Sequence, residues 1–96
     1  MIEVRQTAEF AGWLRQLKDA NAIARIVARV RRMEMENFGD VRSVGSGVME
    51  MRIDYGPGYR VYYVHRGAAV VILLCAGDKR TQRRDIRRAQ ELAETQ

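Results

Sequence analysis

Residues 48–79 read VMEMRIDYGPGYRVYYVHRGAAVVILLCAGDK, and this stretch decides the fold. From Val48 to Tyr55, Met49, Met51, Ile53 and Tyr55 share one parity, while Glu50, Arg52 and Asp54 share the other. Alternation of this kind predicts a strand with one buried face. Gly56-Pro57-Gly58 interrupts it, because glycine supplies unusual dihedrals and proline pre-sets its own φ. Tyr59 to His65, rich in Tyr and Val, is the second strand of a hairpin. After the His65-Arg66-Gly67 turn, the run from Ala68 to Ala76 is continuously apolar and flanked by glycines, which predicts a central strand buried on both faces.

A turn centred on Pro57 sets Ile53 opposite Val61 and Met51 opposite Tyr63 on the core face. On the other face Arg52 then meets Tyr62, and Asp54 meets Arg60. Cross-strand Cβ atoms sit about 4.5–5.5 Å apart, so this register gathers Arg52, Asp54, Arg60 and Tyr62 into one cluster. Arginine, lysine and tyrosine converging on a sheet can hold a phosphate, since guanidinium forks match phosphate oxygens. The structural alternative is an Asp54–Arg60 ion pair across the hairpin.

Working outward, Val41 to Gly45 is a short strand that turns at Ser46-Gly47 into the hairpin. Met1 to Gln6 forms a leading strand, and Thr7 is placed to cap the helix that follows. Phe10, Trp13, Leu14 and Leu17 fall on one helical face, with Trp13 as a core anchor. Asp19 or Asn21 caps a second helix, whose apolar stripe is Ile23, Ile26, Val27, Val30 and Met33. Arg25, Arg29 and Arg32 form a separate basic stripe, read as a solvated face. Asn37 to Asp40 ends this helix, with Gly39 in the position of a left-handed C-terminal residue. Thr81 caps a final helix carrying a thin stripe of Ile86, Ala89, Leu92 and Ala93. The order is strand, two helices, four strands and a helix: an α+β fold with an antiparallel sheet, forming one domain over residues 1–96.

The 96 residues carry a formal charge of +5 with a pI near 10.0, a balance that suits a polyanionic partner. Lys79, Arg80, Arg83, Arg84, Arg87 and Arg88 crowd the N-terminal half of the last helix. Positive charge there opposes the helix dipole, so local stability does not explain it and anion binding does. Cys75 is the one cysteine, set in an apolar run, which predicts a buried thiol and fits a reducing cytosol. Glu3 and Arg5 interrupt any apolar leader, and no run approaches the roughly 20 residues that span a bilayer. No metal-ligand spacing, phosphate-binding glycine loop or Ser-His-Asp arrangement occurs, so no metal and no cofactor are expected. The lone His65, beside a turn, reads as solvated. Residue chemistry alone therefore indicates a basic α+β domain that binds nucleic acid.

The ordered pattern E-x-R-I-D-Y-G-P-G-Y-R-V-Y-Y from Glu50 to Tyr63, then an apolar strand, then Gly77-Asp78-Lys79, then T-Q-x-x-D-I-x-x-A from Thr81 to Ala89, resembles the addiction module killer proteins. These are HigB-like members of the RelE/ParE toxin superfamily. The resemblance implies a RelE-like fold, with an N-terminal strand and αα-hairpin packed on a curved antiparallel sheet. It also implies the toxin of a bacterial type II toxin–antitoxin pair: a cytoplasmic, metal-independent endoribonuclease that cuts mRNA on the ribosome. In that chemistry the 2′-hydroxyl attacks the adjacent phosphate and the 5′-oxygen leaves.

Carried onto this chain, the resemblance makes Arg52, Arg60 and Lys79 the cationic positions. Arg60 holds the scissile phosphate, and Lys79 stabilises the leaving group. Tyr62 stacks on a base or orients the 2′-hydroxyl, and Glu50 is a lesser candidate for the base. Arg80, Arg83, Arg84, Arg87 and Arg88 are expected to bind RNA. The implied partners are a cognate antitoxin of helix-turn-helix type, the ribosome and mRNA, with no membrane. Residues 81–96 hold neither the tyrosine nor the histidine that several RelE-like nucleases carry near the C-terminus, so no general acid is supplied. Two other functions fit the residues: a ParE-like, non-enzymatic inhibitor of DNA gyrase, and a nucleic-acid-binding domain with decayed activity.

Overall fold

The computed structural model describes residues 1–96. In chain order it contains β1 (Glu3–Gln6), α1 (Ala8–Gln16), α2 (Ala20–Glu34), β2 (Val41–Ser43), β3 (Val48–Ile53), β4 (Tyr59–Arg66) and β5 (Val70–Gly77). A short 3-10 turn over Lys79–Thr81 leads into α3 (Gln82–Ala93). The class is α+β, as the order of elements predicts. The sheet, however, is mixed and not purely antiparallel. Its strand order is β1-β5-β4-β3-β2, and β1 joins the edge parallel to β5. No helix is long and apolar enough to cross a membrane.

Local chemistry sets the helix ends. The Thr7 hydroxyl oxygen accepts from the Phe10 amide at 3.1 Å and donates to the Leu74 carbonyl at 2.6 Å, so the cap of α1 also ties it to β5. Asp19 caps α2 by accepting from the amides of Asn21 and Ala22. Helix α2 stops earlier than expected. Glu36, at φ +63°, is its left-handed residue, and the Asn37 and Glu36 amides return to the carbonyls of Arg32 and Met33. Gly39 serves a different end. A Cβ there would lie 3.0 Å from the Arg29 guanidinium, which donates to the carbonyls of Arg52 at 2.7 Å and Phe38 at 3.2 Å. The basic stripe of α2 is thus not wholly solvated: Arg29 fastens the helix to β3, and Arg25 lies over the Tyr55 ring at 4.7 Å.

The hairpin register differs by two residues from the expected one. Met51 faces Val61, Arg52 faces Arg60, and Glu50 faces Tyr62. The reason is the loop. Strand β3 ends at Ile53, and Asp54–Gly58 form a turn centred on Gly56, with Gly56 and Gly58 both at positive φ. A shift of two preserves the face of every side chain but changes its neighbour. Asp54 therefore lies outside the ladder and makes no ion pair with Arg60.

Both faces of the sheet are covered. Helices α1 and α2 close one, packing Phe10, Ile26 and Met33 on Met51, Val61, Tyr63 and Leu73. Trp13 is half-buried against this core, edge-on to Tyr59 at 5.9 Å. Helix α3 closes the other, packing Ala89 and Ala93 near Val48, Tyr62, Val64, Leu74 and Cys75. Part of the β3 parity that reads as solvent-facing is consequently interior: Glu50 is 0% exposed, while Arg52, nearer the end of the strand, stays partly open. Its Oε1 accepts from Arg42 Nε at 2.8 Å; its Oε2 accepts from Gln82 Nε2 at 2.8 Å and from the Tyr62 hydroxyl at 3.1 Å. Burial pushes the Glu50 carboxyl up, but the bonds from Arg42, Gln82 and Tyr62, with the charge of Arg42, more than offset this and leave it below the usual range.

Thr81 stands at the N-terminus of α3 but makes no side-chain cap bond to it. Asp78 is the functioning cap of this corner, accepting from the Arg80 amide at 2.8 Å, while the Thr81 hydroxyl donates to Asp85 Oδ2. Asp85 is buried, and it approaches the end of β5 so closely that a Cβ on Gly77 would lie 1.9 Å from its Oδ2.

Gly77→Ala should therefore destabilise the protein by about 1–3 kcal/mol, through overpacking under α3. Urea unfolding at the wild-type midpoint would show the clash to be relieved at no cost. Glu50→Gln should cost about 3 kcal/mol at pH 7, because the donors that converge on this fully buried position lose their anion. The Glu50 pKa is lower folded than unfolded, so its contribution is present above about pH 4.3 and fades as pH falls through the folded value. The stability gap between wild type and Glu50→Gln should narrow on acidification below that point, and a gap independent of pH would argue against a charged Glu50.

Candidate functional site

Where β3 ends and β4 begins, an open concavity of about 480 Å³ is lined by Arg52, Arg60 and Lys79 together with Asp40, Asp54 and Pro57. Three of the four side chains expected to carry catalysis thus share one hollow. The ladder places Arg52 and Arg60 directly opposite each other on the α3 face of the sheet. Like charges in that position repel, and two carboxylates offset this. Asp40 Oδ1 accepts from Arg52 Nη2 at 2.7 Å and Nε at 3.3 Å, and Glu50 Oε1 lies 3.9 Å from Arg60 Nε. The hydrogen bond from Arg52 holds the Asp40 carboxyl below its usual range and raises the Arg52 guanidinium in turn.

The two arginines differ in freedom. The Arg52 side chain is 42% exposed and can leave Asp40 for another anion. The Arg60 side chain is 13% exposed, and its Nη1 donates to the Gly58 carbonyl at 3.1 Å. Its Nε is buried and has no hydrogen-bond partner. Arg60 is a guanidinium fixed by its surroundings, with hydrogen-bonding capacity unspent. Gly58, at φ +81°, permits this, since a Cβ would lie 3.3 Å from Arg60 Nη1 and 3.5 Å from Lys79 Cβ. Lys79 arrives from the far side of β5, its amide reaching the Pro57 carbonyl at 3.4 Å. Its ammonium is exposed and takes part in no salt bridge.

Tyr62 and Glu50 do not join this surface. Tyr62 is fully buried beneath α3, so it is not presented for stacking on a base or meeting a 2′-hydroxyl. Burial, then the Glu50 charge and the bond to it, push its phenol well above the ordinary value. Glu50, engaged by three donors and held below the usual range, is neither a solvated edge residue nor an accessible base. Both work instead beneath the site, where Glu50 supplies the negative charge nearest Arg60. His65, on the α1/α2 face, packs edge-on to Phe38 at 5.3 Å and Tyr63 at 5.7 Å, away from the arginines. Cys75 is buried, which pushes its thiol up to about 12.

The basic helix is less uniform than its sequence. Arg80 pairs with Asp78 at 2.9 Å, Arg84 with Asp85 at 3.4 Å, and Arg88 with Glu9 at 2.7 Å and Glu91 at 3.5 Å. Arg83 and Arg87 take part in no salt bridge, so they carry the free charge of α3. Arg84, Arg87 and Arg88 line a second hollow of about 500 Å³ between α1 and α3, where Glu9, Asp85 and Glu91 balance them. Asp78 and Asp85 also answer the dipole argument, because they place carboxylates where arginines alone would oppose it.

Arg42, Asp40 and Gln82 escaped the sequence reading. A turn centred on Ser46 sets Arg42 opposite Glu50, the pairing observed, so that ion pair was open to derivation. No local signal in the sequence announces Asp40 or Gln82.

Two comparisons bear on kinship. The family model described as "Phage derived protein Gp49-like (DUF891)" matches residues 12–95. An uncharacterized protein of Haemophilus influenzae is 48% identical over 93 residues, covering 97% of this chain and 94% of that one. The family match takes in the second half of α1, all of α2, the arginine-lined concavity and α3, and the chain belongs to the Gp49-like family of phage-derived proteins, a family associated with toxin–antitoxin addiction modules.

Proposed function

We propose that this protein is the toxin of a type II toxin–antitoxin pair, and that it acts in the cytoplasm as a metal-independent endoribonuclease on ribosome-bound mRNA. One observation carries the reading: Arg52, Arg60 and Lys79 converge in a single open hollow, around a guanidinium fixed by the fold. Transfer from a phosphodiester to a neighbouring 2′-oxygen builds negative charge on the phosphoryl oxygens and on the departing 5′-oxygen. Preorganised cations at those points are the largest lever available to such a site. Arg60 suits the phosphoryl oxygens, because its position costs no reorganisation when the substrate arrives. Lys79 suits the leaving oxygen, as an unpaired ammonium able to give a proton. Arg52 exchanges Asp40 for a substrate phosphate. Arg83 and Arg87 extend the contact along the RNA backbone.

A cognate antitoxin follows from the addiction-module association, since a free toxin of this kind would arrest its own host. A second reading, inhibition of DNA gyrase without cleavage, is favoured by one feature: neither a tyrosine nor a histidine lines the hollow.

Arg60→Ala should abolish growth arrest while leaving the protein folded. Removing a phosphate-contacting arginine costs on the order of 2–5 kcal/mol, or tens to thousands in rate. Induction followed by primer extension on a translated mRNA, beside a gyrase-cleavage assay, separates the two readings. Arrest by a well-folded Arg60→Ala protein would refute the proposal. For RNA binding, replacing Arg83 and Arg87 by alanine should weaken association with single-stranded RNA at low salt. The slope of log affinity against log salt should fall by about 1.4, from two lost phosphate contacts. An unaltered slope would place the RNA elsewhere than on α3.

A further inference from the structure

Attack by a 2′-hydroxyl requires a group to accept its proton, and the resemblance supplies none that is accessible. Glu50 is closed in by three donors, and the Tyr62 hydroxyl donates to it from the interior. His65 lies on the opposite face of the sheet, edge-on to the stacked rings of Phe38 and Tyr63. Asp40 is engaged by Arg52 through two hydrogen bonds, which makes it a poor proton acceptor. One carboxylate remains. Asp54 follows the last residue of β3, is exposed, and lines the same hollow as Arg52, Arg60 and Lys79. It takes part in no salt bridge and no side-chain hydrogen bond, although three cations share the hollow with it. A carboxylate on a five-residue turn among cations, and paired with none of them, contributes little to the fold and is free for chemistry.

We infer that Asp54 is the general base of the cleavage reaction, an assignment that rests on the ribonuclease reading above. The Asp54 carboxylate takes the proton of the 2′-hydroxyl as the 2′-oxygen bonds to phosphorus. The bond from phosphorus to the 5′-oxygen breaks, and that oxygen takes a proton from the Lys79 ammonium. The products are a 2′,3′-cyclic phosphate and a 5′-hydroxyl. Water then removes the proton from Asp54 and returns one to Lys79. Arg60 holds the phosphoryl oxygens throughout, through its Nη2, which donates to no protein acceptor and, unlike Nε, is not buried.

The test uses the full chain on intact ribosomes programmed with a defined mRNA, in single-turnover conditions. Asp54→Ala should lower the cleavage rate by about 10²–10⁴-fold, the usual contribution of a general base, with ribosome affinity and thermal midpoint unchanged. Added formate should restore part of the rate to Asp54→Ala, because a small carboxylate fits the space left by the side chain, and none to Arg60→Ala. A structural role for Asp54 would give no such rescue. Wild-type cleavage by Asp54→Ala, beside an inactive Arg60→Ala, would overturn the assignment and leave the ribonuclease reading standing. A loss of rate without formate rescue would overturn it as well. Absence of cleavage by the wild-type protein, on ribosomes that a control nuclease cuts, would remove the ribonuclease reading and this assignment with it.

Discussion

The structure turns on one buried carboxylate. Glu50 is fully enclosed, and an enclosed anion is tolerated only when donors meet it on every side. Its donors come from three different elements: Arg42 on β2, Tyr62 on β4 and Gln82 on α3. None reaches Glu50 unless its element is docked, so satisfying this group couples the edge of the sheet, its centre and the C-terminal helix. The same carboxylate lies 3.9 Å from Arg60 Nε, too far for a hydrogen bond but close enough to attract the guanidinium. Arg60 is therefore positioned by the anion that also holds the fold together, and the site inherits its rigidity from the core.

Local charge in the hollow argues against simple accumulation of positive residues. Three cations share it with Asp40 and Asp54, and Glu50 lies beneath. A site this nearly balanced does not act by bulk attraction. It acts by geometry, with one arginine fixed, one arginine on an exchangeable partner and one lysine uncommitted. Electrostatic steering falls instead to residues farther out. On α3 only Arg83 and Arg87 are without a salt bridge, because carboxylates from α1, α3 and the preceding turn take up the others. A count of arginines in this helix overstates the free charge that it offers.

Helix α3 also explains why both sheet faces are interior. Its buried apolar residues are small, Ala89 and Ala93, so the helix lies close to the sheet. The contact is close enough at one end that only glycine fits at position 77, against Asp85. This approach carries the Lys79 turn around the end of β5 to the Gly58 turn, and so completes the hollow. The cationic site is a by-product of how tightly this one helix seats.

By itself the sequence determined the elements and their faces. Period-two alternation in β3, the apolar run of β5, the Thr7 and Asp19 caps and the glycine-proline turn are local signals, and each element they announce is present. Parity put Arg52, Arg60 and Tyr62 on one face, and the two-residue shift in register left that parity intact. Only the tertiary structure decided who meets whom. The hairpin closes on Gly56 and not Pro57, so Arg52 faces Arg60, and Asp54 is released from the ladder. Helix α3 covers the polar face of β3, which buries Tyr62 and Glu50 and makes them supports of the site. Strand β1 pairs in parallel with β5, although some sixty residues separate them in sequence. Periodicity reports which way a side chain points from its own backbone. It carries no information on what will be docked there, because docking is settled by contacts between residues far apart in the chain.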